Sequence, residues 1–290
     1  MKIKNTKINS VLKKELKGKT ILITGGAGSI GSAITKKLLD YPVKIIRILD
    51  IDEYNLFKLK KELDDDRLRF LLGNILDKDR LAFAGDDVDL IIHTAAIKNI
   101  EISEFNPIET IDVNINGTVN LIKMTIDKSP KKFLNISTDK ATDPSTLYGS
   151  TKQLSERLTT WAGQHLKSTK FATVRLGNVL ETRGNVFEIW KDEKEKNQPI
   201  SITNSKMKRF FLTIDEAVSF VLECISYINE GEIFVPNIKL HNMQHLANKV
   251  SKKQKIVGTR KGEKLVEVLI SDSEKKHATK KDNMWIINPK

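Results

Sequence analysis

The chain has 290 residues, of which 39% are hydrophobic, and it carries a formal net charge of +12. This length and composition indicate a folded globular protein with one large domain, or one domain and a small appendage. The charge favours anionic partners such as nucleotides or phosphorylated sugars, although spread lysines are also typical of solvated helix faces. Because Cys224 is the sole cysteine, an intrachain disulfide is excluded, and we expect no metal site.

No stretch of the sequence approaches the roughly 18 apolar residues that a membrane-spanning helix requires. The basic N-terminus, residues 1–19, lacks the apolar core of a signal peptide. We therefore expect a cytoplasmic protein without a membrane span.

Short β-branched apolar runs alternate with longer amphipathic runs through the first 180 residues. The runs that predict buried parallel strands are 19–25, 44–50, 68–74, 90–95, 132–138 and 171–177. Helical spacing is found between them, at 29–40, 53–63, 106–128 and 147–167. Repeated βα units of this kind predict an α/β fold, a doubly wound parallel sheet of the Rossmann type with helices on both faces.

The first predicted strand leads into the glycine-rich turn ITGGAGSIGS, residues 23–32. Glycine allows a tight turn and lets the backbone approach a pyrophosphate, next to the N-terminus of the following helix. Because the turn follows a strand and opens a helix in the first βαβ unit, it predicts dinucleotide binding. The cofactor contacts predicted in this turn are Thr24, Gly25, Gly28, Ser29, Ile30 and Gly31.

Asp50 stands at the end of the second predicted strand, where an acid accepts hydrogen bonds from the adenosine ribose. The following residues, 51–53, offer no cation for a 2′-phosphate, which favours NAD over NADP without excluding NADP. Asp52 could take the same role. The cofactor contacts predicted at the ends of the third and fourth strands are Asn74, Ile75, Ala95 and Ala96.

Tyr148 and Lys152 are four residues apart at the start of the predicted helix 147–167, so they share one helix face. We expect the lysine charge to lower the pKa of the phenol. A phenolate can then take a proton from a hydroxyl group while a hydride passes to nicotinamide. The pair is common by chance, but here it follows the fifth strand of a dinucleotide fold. We predict that both residues are catalytic and that both contact the cofactor.

The alternating pattern ends near residue 178. We interpret residues 1–177 as the dinucleotide-binding domain with a short basic N-terminal arm. Residues 178–290 are interpreted mainly as a smaller substrate-binding lobe, from which a strand near 231–237 returns to the sheet. The charged run 191–198 is expected to be a solvated helix face.

From residue 19 onward the chain resembles the extended short-chain dehydrogenase/reductases. It is most similar to one branch, the short inverting UDP-N-acetylglucosamine 4,6-dehydratases of the polysaccharide biosynthesis protein family. The resemblance rests on the glycine-rich turn and on STDKATDPSTLYGSTK (137–152), VRLGNVLETRGNV (174–186) and GTRKGEKLVEVLIS (258–271). The Asp-Lys pair at 139–140 is diagnostic, because dehydratases that act on dTDP-glucose have Asp-Glu at this strand end.

The resemblance implies oxidation of C4 of a UDP-sugar, loss of water across C5 and C6, and return of the hydride to C6. The product is a 4-keto-6-deoxy sugar, and the NAD or NADP stays tightly bound and is recycled. By resemblance, Lys140 is the base for the C5 hydrogen and Asp139 is the acid for the C6 hydroxyl. Thr138 holds the C4 oxygen, and Tyr148 is the oxidation base.

By the same resemblance, Lys98 lines the substrate pocket and Asn114 supports the water network of the active site. The residues expected to face the UDP portion are Asn178, Arg183, Arg209 and Arg260. Three positions depart from the family pattern, and they leave the identity of the sugar and the C5 stereochemistry open. They are Asn99, Lys208 and Lys261.

Two alternatives remain. A nucleotide-sugar 4-epimerase uses the same fold, cofactor and Tyr-Lys pair, but it needs no acid and base aimed at C6 and C5. A dinucleotide sensor without catalysis is disfavoured by the intact pair, and the absence of interleaved aromatic and basic residues argues against nucleic acid. We expect at least a homodimer through helices 106–128 and 147–167, by analogy with the superfamily.

Overall fold

A large, mostly parallel sheet forms the centre of the protein. The structure is a computed structural model that describes residues 6–260 and 262–289. The strands are β1 (Thr20–Thr24), β2 (Ile45–Asp50), β3 (Leu68–Leu72), β4 (Leu90–His93), β5 (Lys132–Thr138), β6 (Lys170–Leu176), β7 (Asn178–Val179), β8 (Ile200–Ile202), β9 (Lys208–Leu212), β10 (Glu230–Pro236), β11 (Leu240–Asn242), β12 (Gln254–Ile256), β13 (Ala278–Lys281) and β14 (Met284–Ile287).

Helices pack on both faces of this sheet and on the smaller sheets of the C-terminal part. They are α1 (Thr6–Leu16), α2 (Ser29–Leu38), α3 (Glu53–Glu62), α4 (Lys78–Ala84), α5 (Ile100–Phe105), α6 (Pro107–Ile111), α7 (Gly117–Lys128), α8 (Leu147–His165), α9 (Val186–Glu195), α10 (Ile214–Ile225), α11 (Met243–Val250) and α12 (Asp272–Lys275). None of the helices in the described ranges is both long enough and apolar enough to cross a bilayer.

The central sheet has the strand order β13-β14-β10-β6-β5-β4-β1-β2-β3 across the described residues. The strands from β3 to β10 pair in parallel, which confirms the predicted doubly wound fold. β14 pairs antiparallel with β10, and β13 pairs antiparallel with β14. This antiparallel edge differs from the expected all-parallel sheet. The short run of residues 278–287 carries too little apolar pattern to predict it.

Strand β1 illustrates why the sequences of the central strands are continuous apolar runs. All five of its residues are buried, because helices pack on both faces of the sheet. Its side chains alternate: Ile21 and Ile23 join the core that includes α2 and α10, whereas Leu22 joins the core that includes α4 and α7. The strand order reverses between β1 and β4, so the ligand crevice of such a sheet opens at their carboxyl ends.

The predicted helix 106–128 is divided into three parts. α6 and α7 flank a π-helical turn, Asp112–Asn116, that places Asn114 inside the protein. The Asn114 amide accepts from the Ile97 N–H at 2.8 Å and donates to the Ile97 carbonyl at 3.0 Å. π-helical turns are frequent at functional sites. Here Asn114 in the π-helical turn joins the loop after β4 to the helix layer. A regular helical period does not predict this turn.

The C-terminal part adds two small sheets outside the central one. One contains β7, β9 and β11, and the other contains β8 and β12. A separate core that includes Trp190, Ile202 and Met243 packs between them and α9. The charged run 191–198 falls on α9 and the turn after it, and most of its residues are exposed, as expected.

A buried cation joins the central sheet to its surroundings. Arg175 on β6 is 1% exposed, and its guanidinium donates to Glu156 on α8 at 3.0 and 2.6 Å. It also donates to Glu274 on α12 at 3.0 and 2.8 Å, and to the Leu269 carbonyl at 2.8 Å. One side chain therefore holds α8 and the C-terminal segment against the strand.

Replacing Arg175 with methionine should lower the free energy of unfolding by about 3–5 kcal/mol, because two carboxylates lose their buried partner. Urea unfolding measures this loss. Lys191→Met is the matched control, since the Lys191 ammonium lies 3.8 Å from Glu195 on an exposed face. Exposed pairs of this type contribute about 0.5 kcal/mol or less. Equal losses in the two variants would contradict the role of Arg175.

Candidate functional site

A cavity of about 530 Å³ lies at the carboxyl ends of β1, β2, β3 and β4. It brings together ten of the thirteen residues predicted to contact a dinucleotide, and Tyr148 and Lys152 are not among the residues that line it. Those that line it are Gly25, Gly28, Ser29, Ile30, Gly31, Asp50, Asn74, Ile75, Ala95 and Ala96. Thr24 is buried beneath the cavity instead, with its Oγ1 2.7 Å from Nδ1 of His93.

The glycines of the turn are required by close backbone contacts. Gly25 has a φ of +66°, and a Cβ atom there would lie 2.6 Å from the Cα of Ala95. A Cβ atom on Gly31 would lie 2.7 Å from the Cα of Gly26. Side chains at these positions would collide with the backbone of the turn itself and of the loop after β4, so the compact turn requires glycine. The turn therefore fits an extended phosphate-containing ligand at the N-terminus of α2.

Asp50 shapes the same turn. Its Oδ2 accepts from the Ala27 N–H at 2.9 Å, and its Oδ1 accepts from the Asp52 N–H at 3.0 Å. Asp52 instead caps α3, where its side chain accepts from the Asn55 N–H at 3.0 Å. The structure thus gives the two acids different tasks. Asp50 is joined directly to the glycine-rich turn, and Asp52 starts a helix.

Arg183 was expected to face the UDP portion, and it lies at the mouth of the dinucleotide cavity. Its backbone N–H donates to Ser29 Oγ at 3.3 Å, and its guanidinium reaches the Ala27 carbonyl at 3.5 Å. The Lys98 ammonium donates to the Arg183 carbonyl at 3.1 Å. The cavity is lined by Arg183 and Lys98, which were predicted to bind substrate. It is also lined by Thr182, which the sequence analysis did not predict. The loop after β7 therefore crosses the glycine-rich turn.

Residues 138–142, which we call the acid–base turn, follow β5. The Lys140 ammonium donates to Asp139 Oδ1 at 3.0 Å, and the Thr138 hydroxyl donates to the same oxygen at 3.0 Å. Lys140 also donates to Asn178 Oδ1 at 3.3 Å. Asp139 is fully buried, and its Oδ2 has no hydrogen-bond partner within the described ranges. The turn thus presents a hydrogen-bonded amine and carboxyl group.

Tyr148 and Lys152 lie on the first two turns of α8, which Thr146 caps by accepting from the Gly149 N–H. Burial raises the pKa of Tyr148, and the negative charge of Asp139 raises it further. A hydrogen bond with Thr138 opposes the rise without cancelling it. The expectation that Lys152 gives this phenol a lowered pKa is therefore wrong for the polypeptide alone, because desolvation dominates. Burial also lowers the pKa of Lys152 itself, to about 8.

His93 is a second buried group near this layer. Burial and the charge of Lys152 lower its pKa to about 3. Its ring nitrogens lie 2.7 Å from Thr24 Oγ1 and 3.2 Å from Thr118 Oγ1. The imidazole is therefore neutral at physiological pH, and it bridges β1 and α7 beneath the site.

The remaining residues that were predicted to bind UDP have different surroundings. Arg209 is 6% exposed, and its guanidinium donates to carbonyls at 208, 264 and 265 and to Glu263. Arg260 is about half exposed and pairs with Glu101 on α5 at 2.7 Å. Arg209 thus holds the segment after residue 262 in place, whereas Arg260 stays near solvent. Lys261 lies outside the described residues.

The segment 262–271 docks on the acid–base turn. Lys264 Nζ donates to the Thr142 carbonyl at 2.8 Å, and Thr142 Oγ1 donates to the Leu269 carbonyl at 3.4 Å. Ser145 Oγ donates to the Gly262 carbonyl at 2.6 Å. Between these anchors Glu267 is buried, and no spacing rule in the sequence singles it out.

Comparison with known proteins identifies the family. The model of the family described as polysaccharide biosynthesis protein matches residues 21–289. The chain belongs to this family. An uncharacterized membrane protein of Methanocaldococcus jannaschii is 41% identical over 288 residues, which cover 94% of this chain and 86% of the relative.

Two other relatives of the family carry enzyme names. The inverting UDP-N-acetylglucosamine 4,6-dehydratase of Campylobacter jejuni is 39% identical, over 94% of this chain and 83% of that enzyme. A UDP-glucose 4-epimerase of Rickettsia bellii is 33% identical, over 93% of this chain and 82% of that enzyme. The X-ray structure of Pen from Bacillus thuringiensis superposes with a TM-score of 0.90 at 33% identity, covering 94% of this chain and 90% of Pen.

Gly31→Ala should weaken dinucleotide binding at least about tenfold, because the added methyl group meets backbone atoms and must displace the turn. Titration calorimetry with NAD and NADP measures the affinity. Ser32→Ala is the neighbouring control, since its hydroxyl donates only to the Ser29 carbonyl within α2. Unchanged affinity in Gly31→Ala would show that the ligand does not approach this turn.

Proposed function

We propose that the protein is a nucleotide-sugar 4,6-dehydratase that acts on UDP-N-acetylglucosamine or a related UDP-N-acetylhexosamine. The observation that carries this proposal is the hydrogen-bonded Lys140 and Asp139 pair at the end of β5. The pair supplies both a base and an acid beside a dinucleotide cavity. The 39% identity with the Campylobacter jejuni dehydratase supports the same reaction and substrate class.

The cavity fits a nicotinamide dinucleotide, with the pyrophosphate against the glycine-rich turn and the adenosine ribose near Asp50. When bound, this cofactor supplies the hydride acceptor for the sugar C4 and the hydride donor for C6. We favour NAD over NADP because the groups nearest Asp50 along the chain are acidic. The other residues that line the cavity make backbone and van der Waals contacts with the cofactor in this proposal.

Tyr148 takes the proton from the C4 hydroxyl, and Thr138 holds the C4 oxygen by a hydrogen bond. Since burial raises the pKa of the phenol, Tyr148 needs a positive charge close to it during this step. Lys152 lies one helical turn away and supplies this positive charge. It also orients the cofactor ribose. Asn114 keeps the adjoining loop in position through Ile97.

Lys140 and Asp139 then carry out the elimination. A proton moves from the Lys140 ammonium to Asp139 along their 3.0 Å hydrogen bond, leaving a neutral amine and a neutral carboxylic acid. The amine removes the hydrogen from C5, which the C4 ketone has made acidic. The carboxylic acid protonates the departing C6 hydroxyl. One proton transfer thus prepares both the base and the acid.

We propose residues 1–177 as the dinucleotide-binding part and residues 178–290 mainly as the substrate lobe, although β10, β13 and β14 join the central sheet. The substrate lies between this lobe and the carboxyl ends of the parallel strands. Asn178 contacts Lys140 of the acid–base turn, and Lys98 contacts the loop after β7, so they suit the sugar and phosphate groups. Arg260 and Arg183 offer guanidinium groups to the diphosphates of substrate and cofactor. Arg209 supports this lobe from within.

The direct test is incubation with UDP-N-acetylglucosamine followed by mass spectrometry. Loss of one water from the sugar, without added reductant, is the expected result. An epimerase would instead give a product of unchanged mass. Epimerisation is the second candidate function because the chain is 33% identical to the Rickettsia bellii enzyme. The acid and base at positions 139 and 140 favour the dehydratase, because epimerisation at C4 needs neither.

Tyr148→Phe and Lys140→Ala should separate the two halves of the reaction. In Tyr148→Phe, addition of substrate should leave the nicotinamide oxidised, because no group takes the C4 proton. In Lys140→Ala, substrate should still reduce the nicotinamide, seen by absorbance. Exchange of the C5 hydrogen with deuterated water should fall by about 10² to 10⁴. Exchange at the parent rate in Lys140→Ala would make Lys140 a structural residue and put the epimerase first.

Asp50→Ala should lower NAD affinity more than Asp52→Ala. Both acids line the cavity, but Asp50 also holds the glycine-rich turn, whereas Asp52 caps α3. Equilibrium binding measures the affinity, and thermal melts report the loss of the helix cap, which costs about 1 kcal/mol. If Asp52→Ala loses NAD affinity and Asp50→Ala does not, the ribose contact belongs to Asp52.

We also propose that the protein works in the cytoplasm as a homo-oligomer. Apolar side chains on α5, α6 and α8 are exposed and support pairing through this layer. They are Ile102, Phe105, Ile108, Leu154 and Trp161. Size-exclusion chromatography with light scattering tests the oligomeric state. A monomer at micromolar concentration would contradict it.

A further inference from the structure

Glu267 lies against the acid–base turn, although no motif pointed to it. Lys264, three residues before it, donates to the Thr142 carbonyl. Leu269, two residues after it, accepts from the Thr142 hydroxyl. Because both anchors reach the same residue of the turn, the chain between them is held beside Asp139 and Lys140.

The carboxyl group of Glu267 is buried and incompletely bonded. The residue is 4% exposed, and its Oε2 has no hydrogen-bond partner within the described ranges. Lys264 Nζ is 4.0 Å from this oxygen, beyond hydrogen-bond distance. In the same ranges, the other buried carboxylate oxygen without a partner is Oδ2 of Asp139. Two incompletely bonded carboxyl groups therefore share one side of the site.

Four charged groups from three elements face Glu267. They are Asp139 and Lys140 of the acid–base turn, Arg209 of β9 and Lys264 of its own segment. Burial raises the pKa of Glu267, Asp139 raises it further, and the three cations oppose the rise without cancelling it. A raised pKa means that the neutral carboxylic acid persists above the ordinary range of glutamate and that the carboxylate forms only at higher pH.

We propose that Glu267 is a positioning residue of the elimination step. The residue acts in its neutral form, and when it ionises it disables the Lys140 base. The inference rests on the dehydratase function proposed above. A carboxylate at 267 would place a second negative charge beside the Lys140 ammonium. That charge would hold the proton on Lys140 and oppose its transfer to Asp139. A neutral carboxyl group leaves the transfer free.

Glu267→Gln tests the proposal, because glutamine keeps the shape of the neutral acid and cannot ionise. Elimination is followed by C5 exchange in deuterated water across a pH series. The fall of the wild-type rate that accompanies ionisation of Glu267 should be absent in Glu267→Gln, because glutamine leaves no titrating group beside Lys140. KM and the reduction of nicotinamide by substrate should stay unchanged.

Glu232→Gln is the matched control. Glu232 is also buried, but it lies near the start of β10, away from the carboxyl ends of the strands, and accepts from the backbone N–H groups at 229 and 230. The same chemical change there should leave the pH profile in place. An unmoved profile in Glu267→Gln overturns the proposal. The proposal is also overturned if Glu267→Gln loses both nicotinamide reduction and C5 exchange and has a raised KM. That result would make Glu267 a substrate ligand.

A second measurement does not depend on activity or on the folding of the glutamine variant. Carboxyl-¹³C-glutamate labelling gives an NMR signal for Glu267 that is assigned by its absence in Glu267→Asp. It should titrate above the ordinary range of glutamate, and its pKa should fall in Asp139→Asn. Titration in the ordinary range overturns the proposal. If the wild type titrates as expected but releases no water from UDP-N-acetylglucosamine, the dehydratase function fails and the coupling of Glu267 to Asp139 stands.

Discussion

The buried guanidinium of Arg175 holds together the parts from which the site is built. It lies in β6, and its five N–H donors are shared by α8, α12 and the carbonyl of Leu269. α8 carries Tyr148 and Lys152, whereas Leu269 belongs to the segment that covers the acid–base turn. A planar fork of donors suits this task, because it can bond two carboxylates in fixed directions. The placement of Tyr148 and Lys152 relative to the acid–base turn depends on this contact.

Burial determines the electrostatics of the site more than individual ion pairs do. Desolvation lowers the pKa of Lys152 and His93 and raises the pKa of Tyr148 and Glu267. Each of these groups is thereby biased toward its neutral form in the polypeptide alone. In the same layer, the Lys140 ammonium lies 3.0 Å from the Asp139 carboxylate.

The loop after β7 links the two halves of the molecule across the dinucleotide cavity. Arg183 contacts the glycine-rich turn, and Lys98 from the loop after β4 contacts Arg183 in return. These contacts bring an arginine from far along the chain to a cavity where the local sequence, residues 50–53, is acidic.

Much of the fold and part of the site could be predicted without coordinates, because local rules govern them. Buried parallel strands need continuous apolar runs, and the turn before α2 needs glycine, so β1 to β6 and the dinucleotide cavity follow from short stretches. The spacing of Tyr148 and Lys152 on one helix face is equally local. The acid–base pair came from resemblance to a family, and its catalytic role stays a prediction. The structure shows a 3.0 Å hydrogen bond between the two side chains.

What tertiary structure alone decided involves residues that are distant in the chain. The π-helical turn at Asn114, the antiparallel β13 and β14, and the enclosure of Arg209 depend on partners that no local period encodes. The pKa of Tyr148 rises because packing removes water, whereas the sequence showed only a neighbouring lysine. Glu267 reads as one more acid in a charged segment, and it becomes chemically significant only when Lys264 and Leu269 dock on Thr142. The sequence by itself therefore determined the sheet, the turn and the reactive residue types, and packing decided their charge states and neighbours, because desolvation depends on the whole fold.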